Sequence, residues 1–266
     1  MTLPPRATVL SVENVAMQFG GLVALSDLNF TVGEGEILSL IGPNGAGKTT
    51  AFNLMTGFLT PSKGEVKYRG TPLKGLKSHQ IADLGLIRTF QRTSVFARDT
   101  VFDNVLIGLH RQGKVGLLDA ILGLPRARAS KRAQRQRAAE LVRWIGLDAR
   151  ANDLAGSLSY GEQRLVGVAL ALAAQPSMLL LDEPVSGMNA SETHTFVQLI
   201  RDIRDRGVTI LLVEHDMPMV MSVSDRIVVL NYGRIIAEGP PETIRNDPAV
   251  IEAYLGQGAK EVAKHA

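Results

Sequence analysis

The 266-residue sequence contains no cysteine. That excludes a disulfide framework, thiolate metal sites and a cysteine nucleophile. Long apolar runs are also missing. The longest uninterrupted one, Leu165 to Ala174, includes Gly167 and falls far short of the roughly 20 residues a membrane-spanning helix needs. The opening Met1-Thr-Leu-Pro-Pro-Arg6 has no charged segment followed by an apolar one, so no secretory signal is expected. Neither sign of charge dominates, and a net charge of +3 is too small to imply nucleic-acid binding on its own. What remains is an ordinary globular composition, 45% hydrophobic, in a chain long enough for one large domain or a core with an inserted subdomain. The chain is expected not to cross a membrane by itself, while a position against one stays open.

Against that background one stretch stands out. Gly42-Pro-Asn-Gly-Ala-Gly-Lys-Thr49 fits G-x-x-x-x-G-K-[ST], the pattern of a loop that holds nucleotide phosphates. Gly42, Gly45 and Gly47 permit backbone conformations closed to other residues, so several N–H groups of the loop can converge on one anion, with Pro43, Asn44 and Ala46 as the loop's other nucleotide-binding candidates. Lys48 brings a compact positive charge to the β- and γ-phosphates, and the Thr49 hydroxyl is a ligand for Mg²⁺. The preceding Glu36-Ile-Leu-Ser-Leu-Ile41 is strand-like, and Thr50-Ala-Phe-Asn-Leu-Met55 suits a helix. The loop would therefore feed a helix N-terminus whose dipole favours phosphate, with Thr50 in its first turn.

Along the rest of the chain, strands are expected at Thr8–Val12, Val23–Val32, Gly64–Gly70, Leu86–Phe90, Ser177–Leu181 and Val208–Glu214, with a hairpin of Ile227–Leu230 and Arg234–Ala237 around Asn231-Tyr-Gly233. Helices are expected at Ser78–Leu84, Val101–Leu109, Ala138–Ile145, Ser159–Ala174 and Asn189–Arg206. Strands alternating with helices around a phosphate loop imply an α/β fold with a mostly parallel sheet, extended by an antiparallel strand cluster near the N-terminus. From about Thr93 to Ser157 the pattern is helical without a convincing strand. This divides the chain into a core of residues 1–91 and 158–255, an inserted helical subdomain of 92–157 and a polar tail of 256–266. No internal repeat suggests a second nucleotide-binding half.

Three further motifs accompany the loop. Met178-Leu-Leu-Leu-Asp-Glu183 is an apolar strand that ends in two carboxylates, which such a strand delivers to the carboxyl edge of the sheet where ligands bind. Asp182 is a candidate Mg²⁺ support and Glu183 a candidate general base for an attacking water; the alternative is a strand end with solvated acids. Leu158-Ser-Tyr-Gly-Glu-Gln163 opens a helix that Ser159 can cap, with Gly161 letting backbone approach an anion. Glu214-His-Asp216 follows the next strand. Taken together, in this order and spacing, the motifs resemble the ATP-binding subunit of an ABC transporter over nearly the whole chain. The implied core is a RecA-like P-loop NTPase.

That resemblance implies roles. Phe19 takes the place of an aromatic that stacks on adenine, the alternative being a core phenylalanine. Gln91, after Arg88-Thr-Phe90, matches the residue that senses Mg²⁺ and the γ-phosphate, and His215 matches a histidine that contacts that phosphate. Lys48, Gln91, Glu183 and His215 are thus the candidate catalytic residues, with Thr49, Gln91 and Asp182 around the metal. Two subunits of this family pair head to tail, so that Ser159, Gly161 and Gln163 of one face ATP on the loop of the other. The resemblance further implies Mg²⁺, membrane permease subunits, a second ATP-binding subunit that is either a related chain or a second copy, and a substrate-binding protein acting indirectly. It implies no nucleic-acid partner and a peripheral position on the cytoplasmic face of the inner membrane.

Arg88-Thr-Phe-Gln91, the Tyr160 signature, Met188-Asn189, the Glu252-Ala-Tyr-Leu-Gly256 ending and the long insert from Gln91 to Leu158 look like the branch serving branched-chain or hydrophobic amino acid importers. Tyr160 stands where the general signature has glycine, so its side chain must point away from phosphate. Asn189 stands where aspartate is common, and Leu170 where arginine is frequent. A basic run, Arg126, Arg128, Lys131, Arg132, Arg135 and Arg137, is either a solvated helix face or a surface for anionic lipid headgroups. Two rival functions are weighed on the same residues. Soluble ABC proteins of ribosomes or DNA join two nucleotide domains or carry coiled-coil inserts, which are missing. A small-molecule kinase shares the phosphate loop but explains neither 158–163 nor Glu183.

Overall fold

The computed structural model describes residues 6–89, 95–109 and 125–254. They group into two compact units. The first contains the described chain up to Leu86, the segment Ser177–Glu183 and the chain from Ile200 onward; the second contains the described parts of Ile87–Pro176 and Pro184–Leu199.

The first unit is built on two sheets. Strands β1 (Thr8–Phe19) and β2 (Leu22–Gly33) form a long antiparallel hairpin, and β4 (Lys63–Tyr68) and β5 (Thr71–Pro72) extend it in the order β2-β1-β4-β5. Both hairpin strands run further than the sequence suggests, because register shifts along β1 absorb the polar interruption at Glu13-Asn14 without ending the ladder. The second sheet has the order β10-β9-β3-β8-β7-β6, from β3 (Ile37–Ile41), β6 (Leu86–Arg88), β7 (Met178–Asp182), β8 (Thr209–Val213), β9 (Arg226–Asn231) and β10 (Arg234–Gly239). Its pairs β3–β8, β3–β9 and β7–β8 are parallel, while β9–β10 is an antiparallel hairpin. Every residue of β3, β7 and β8 is buried. Unbroken apolar runs such as Leu179-Leu-Leu181 therefore form strands covered on both faces.

Helix α1 (Lys48–Met55) follows the loop after β3 and buries Ala51, Phe52, Leu54 and Met55 in the main core. That core also takes Leu10, Leu25 and Phe30 from the antiparallel sheet and Leu38, Leu180 and Leu211 from the parallel one. At about 1.5–3 kcal/mol for each fully buried large apolar side chain, this shared core makes the two sheets of the unit interdependent. An ion pair between the half-buried Arg226 and the buried Glu36 fastens the strand starts. Arg226 Nε and a terminal nitrogen reach the two oxygens of Glu36 at 2.7 and 3.0 Å, and Glu36 also accepts the Gly33 N–H at 2.6 Å. Short helices α2 (Ser78–Asp83), α7 (Met217–Val223) and α8 (Pro241–Arg245) and a final helical stretch at 248–254 complete the unit.

The second unit is helical. It includes α3 (Val101–Leu109), α4 (Pro125–Trp144), α5 (Tyr160–Ala173) and the start of α6 (Ala190–Asp205). Helix α4 begins well before the expected Ala138, since its Arg-, Lys-, Gln- and Ala-rich first half has high intrinsic helix propensity and needs no apolar face to form. Gly108 lets α3 approach α5, where a Cβ would fall 2.7 Å from the Leu170 carbonyl oxygen.

Candidate functional site

Three parallel strands bring the nucleotide motifs of the first unit to one sheet edge. Val213 at the end of β8 is in register with Leu40 of β3 on one side and Asp182 of β7 on the other. The chain leaves β3 into Gly42, β7 into Glu183 and β8 into Glu214-His215. Residues far apart in sequence thus become neighbours through sheet register alone.

The loop itself is constrained by close packing. Gly42 has φ +150°, and a Cβ there would lie 2.1 Å from the Leu230 carbonyl oxygen of β9. Gly47 has φ +103°, and its Cβ would meet the Leu25 side chain at 2.7 Å and the Ala24 carbonyl at 2.9 Å. From the β9–β10 turn, the Gly233 N–H donates to the Ala46 carbonyl at 2.9 Å, and its carbonyl accepts from the Ser26 N–H at 2.8 Å. The hairpin turn that reads only as punctuation in the sequence is a brace for the loop.

Lys48 is only 9% exposed. Its ammonium donates to the carbonyls of Gly42 and Pro43 at 2.5 and 2.9 Å. Burial pulls its pKa down, and the charges of Glu183 and Asp182 push it back up, so the lysine and both acids share one electrostatic environment. Thr49 is exposed and Thr50 half-buried. Asn44 and Gly45 are exposed at the loop tip, while Pro43 and Ala46 are buried beneath it.

Asp182 is 2% exposed. The next residue, Glu183, adopts φ +46°, a left-handed conformation rare for a non-glycine side chain. Its N–H donates to the Val213 carbonyl at 2.8 Å, which ties the strained residue to β8. His215 Nδ1 lies 4.0 Å from Glu183 Oε1 and 3.7 Å from Glu214 Oε2. Glu214, fully buried, accepts the His215 backbone N–H at 2.9 Å and so sets the direction of that loop. The sequence pattern singled out His215 and missed the anchoring role of Glu214. A buried acid directly after an apolar strand was the available signal.

Phe19 ends β1 and is 45% exposed, outside the core of its unit. Gln91 lies outside the described residues. Among the described residues no group of three or more histidines and carboxylates could hold a metal by itself. A P-loop cation needs no such group: the Thr49 hydroxyl and an acid at Asp182 are hard oxygen donors of the kind Mg²⁺ takes, with phosphate and water supplying the rest.

In the second unit, Ser159 caps α5. Its hydroxyl accepts the Glu162 N–H at 3.3 Å, and Glu162 accepts the Ser159 N–H at 2.8 Å. Burial raises the Glu162 pKa, but this capping bond and Arg150, at 2.8 and 2.7 Å from the two oxygens, outweigh it and hold the carboxyl below its usual range. Gly161 is buried, and a Cβ there would be 2.7 Å from a Glu192 oxygen. Gln163 donates to the Leu158 carbonyl at 3.0 Å. The Tyr160 hydroxyl accepts from Arg164 at 2.5 Å, and its ring carbon is 3.3 Å from where a Cβ on Gly187 would sit. The ring therefore rests along the unit's own surface, which accounts for a tyrosine at this position. Asn189 caps α6 through the N–H groups of Ser191 and Glu192, both at 3.0 Å.

Comparison with known proteins places the chain in a family. Residues 25–186 match the ABC transporter family, and residues 234–260 match the branched-chain amino acid ATP-binding cassette transporter family. The chain is 46% identical to the high-affinity branched-chain amino acid transport ATP-binding protein LivG of Escherichia coli (strain K12) over 250 residues, which is 94% of this chain and 98% of that protein. It is 43% identical to BraF of Pseudomonas aeruginosa, a protein of the same description, over the same shares. Among solved structures, a nucleotide-free ATP-binding cassette from an ABC transporter superposes with a TM-score of 0.81 at 30% identity, covering 93% of this chain and 99% of that one. The ADP conformation of such a cassette gives 0.81 at 29% identity, covering 94% and 99%.

Proposed function

Because this chain belongs to the ATP-binding cassette family of ABC transporters, we propose that it is the ATPase subunit of an importer for branched-chain amino acids. The observation that carries the catalytic part is the meeting of Lys48, Asp182, Glu183 and His215 at the carboxyl ends of three adjacent parallel strands.

The residues divide the work by their chemistry. Lys48, now satisfied by two loop carbonyls, exchanges them for β- and γ-phosphate oxygens, and the loop amides and the α1 N-terminus take the remaining charge. Thr49, Asp182 and Gln91 would hold Mg²⁺, which would supply positive charge to neutralise the phosphate. Glu183 orients and deprotonates the attacking water, and His215 reaches the γ-phosphate from the neighbouring strand. Phe19 stacks on adenine. Ser159, Gly161 and Gln163 act on the nucleotide of a partner subunit, where a capped helix N-terminus adds favourable dipole to the γ-phosphate. Residues 1–91 and 158–255 form the nucleotide-binding core on this reading, and 92–157 the subdomain that meets a permease.

No helix among the described residues is long and apolar enough to cross a membrane; on this reading membrane permease subunits supply the path. The exposed cations Arg128, Lys131, Arg132 and Arg135 follow one face of α4 and suit a peripheral position against anionic headgroups at the cytoplasmic side. A second ATP-binding subunit completes the dimer, and a substrate-binding protein acts through the permease. The transported molecule does not touch this chain.

Purification from detergent-solubilised membranes tests the assignment. The expected result is co-purification of permease subunits and a second ATP-binding subunit, with Mg-ATP turnover stimulated by a binding protein loaded with leucine, isoleucine or valine. Recovery of ribosomes or nucleic acid, or turnover indifferent to all loaded binding proteins, overturns it.

A further inference from the structure

The phosphate loop begins at a glycine with no room on one side, and the residue before it packs in a cluster that the helical stretch at 248–254 helps to cover. Gly42 is pressed against the Leu230 carbonyl, where even a Cβ would collide. Its predecessor Ile41 belongs to a small buried cluster with Val229, Ile244 and Val250, and Tyr254 packs on that cluster. The Tyr254 hydroxyl is buried and closes no regular hydrogen bond, while burial raises its pKa and the backbone N–H of Gly42, next to Ile41 in the chain, opposes that rise. A buried hydroxyl without a partner is a cost that a phenylalanine of nearly the same shape would avoid.

We propose that Tyr254 is a positioning residue for the phosphate loop, accepting the Gly42 N–H through its phenol oxygen when the loop closes on a nucleotide. On this proposal the bond forms as the loop tightens on phosphate, in the way that site hydrogen bonds commonly shorten on ligand binding. The helical stretch at 248–254 then reports to the loop through one atom, while the apolar ring and its neighbours hold it in place. Burial pushes the phenol pKa up to about 12, so the group stays a neutral phenol under all working conditions and the contact does not switch with pH.

This inference rests on the nucleotide-binding role proposed for the loop. The test compares the full chain with Tyr254→Phe and with Val250→Ala, a packing control in the same cluster. Mg-ADP affinity and amide exchange across residues 37–49 are measured with and without Mg-ADP. For Tyr254→Phe, the expected result is affinity about three- to tenfold weaker, the worth of one hydrogen bond, and less nucleotide-induced protection at 41–43, with unchanged exchange in β9. Val250→Ala should raise exchange in β9 and at 248–254 while leaving affinity within about twofold, as expected for a packing loss remote from the ligand. Equal affinity and equal loop protection in Tyr254→Phe and the parent chain overturn the inference and leave the nucleotide role standing. A parent chain that binds no Mg-ADP overturns both.

Discussion

The Nδ1 atom of His215 lies 4.0 Å from Oε1 of Glu183, across the carboxyl ends of the adjacent parallel strands β8 and β7. The spacing leaves room for a reacting group near both side chains and allows an acid and an imidazole to act on one phosphate from different strands.

Glu183→Gln separates binding from turnover. It keeps side-chain volume and the N–H tie to Val213 but cannot accept a proton. Phosphate release is expected to fall by about 10²–10⁴-fold, the range for loss of a general base, while ATP affinity stays close to that of the parent chain and an ATP-bound dimer accumulates on size exclusion. Normal turnover in this variant would remove Glu183 from the mechanism.

Lys48→Ala acts on binding itself. The variant loses both loop bonds and the point charge opposite the phosphates. ATP affinity measured by calorimetry is expected to weaken by at least about tenfold, or 1.4 kcal/mol. Affinity unchanged within error would mean that the lysine only staples the loop.

Two glycines of the loop are predicted to respond differently to alanine. Gly42→Ala places a methyl 2.1 Å from the Leu230 carbonyl oxygen, so the loop must leave β9 and nucleotide binding should be lost. Gly45→Ala meets nothing within 4 Å and suffers only its φ of +78°, a backbone cost of about 1–2 kcal/mol. Calorimetric affinities of the two variants check the order. A Gly45→Ala loss as complete as that of Gly42→Ala would refute the steric argument.

The α5 cap supplies a pH signature. Glu162 is held below its ordinary value of 4.5 in the folded chain by Ser159 and Arg150, against the opposing effect of burial. A depressed carboxyl stabilises the fold above its unfolded pKa, and that contribution disappears as pH falls through the folded value. The stability gap between the parent chain and Glu162→Gln in urea unfolding is therefore expected to be full at neutral pH and to close below about pH 4. Ser159→Ala should cost about 1 kcal/mol through loss of the cap itself. A gap independent of pH would disconnect Glu162 from the cap.

Much of this site was legible in the sequence because its chemistry is local. The phosphate loop, the Asp182-Glu183 strand end and the Ser159 cap are each defined within eight residues or fewer, and their neighbouring strand and helix patterns place them at element ends. The core strands were legible for the same reason: unbroken apolar runs such as Ile210–Val213 have to be covered on both faces. Less legible was the length of α4, whose charged first half forms helix by propensity without the apolar period that marked Ala138–Ile145.

The residue types suited to phosphate, the acids that end a strand and the one glycine-rich loop with a lysine can all be read from the sequence alone. Folding in three dimensions sets Val213 between Leu40 and Asp182, braces Ala46 with Gly233, lets Glu214 aim His215, and packs Tyr254 on the cluster that holds Ile41. Except for the adjacent pair Glu214–His215, those relations join residues from separate elements of the chain. They follow from sheet register and close packing, which fix distances between elements, whereas a local motif fixes only the chemistry within one.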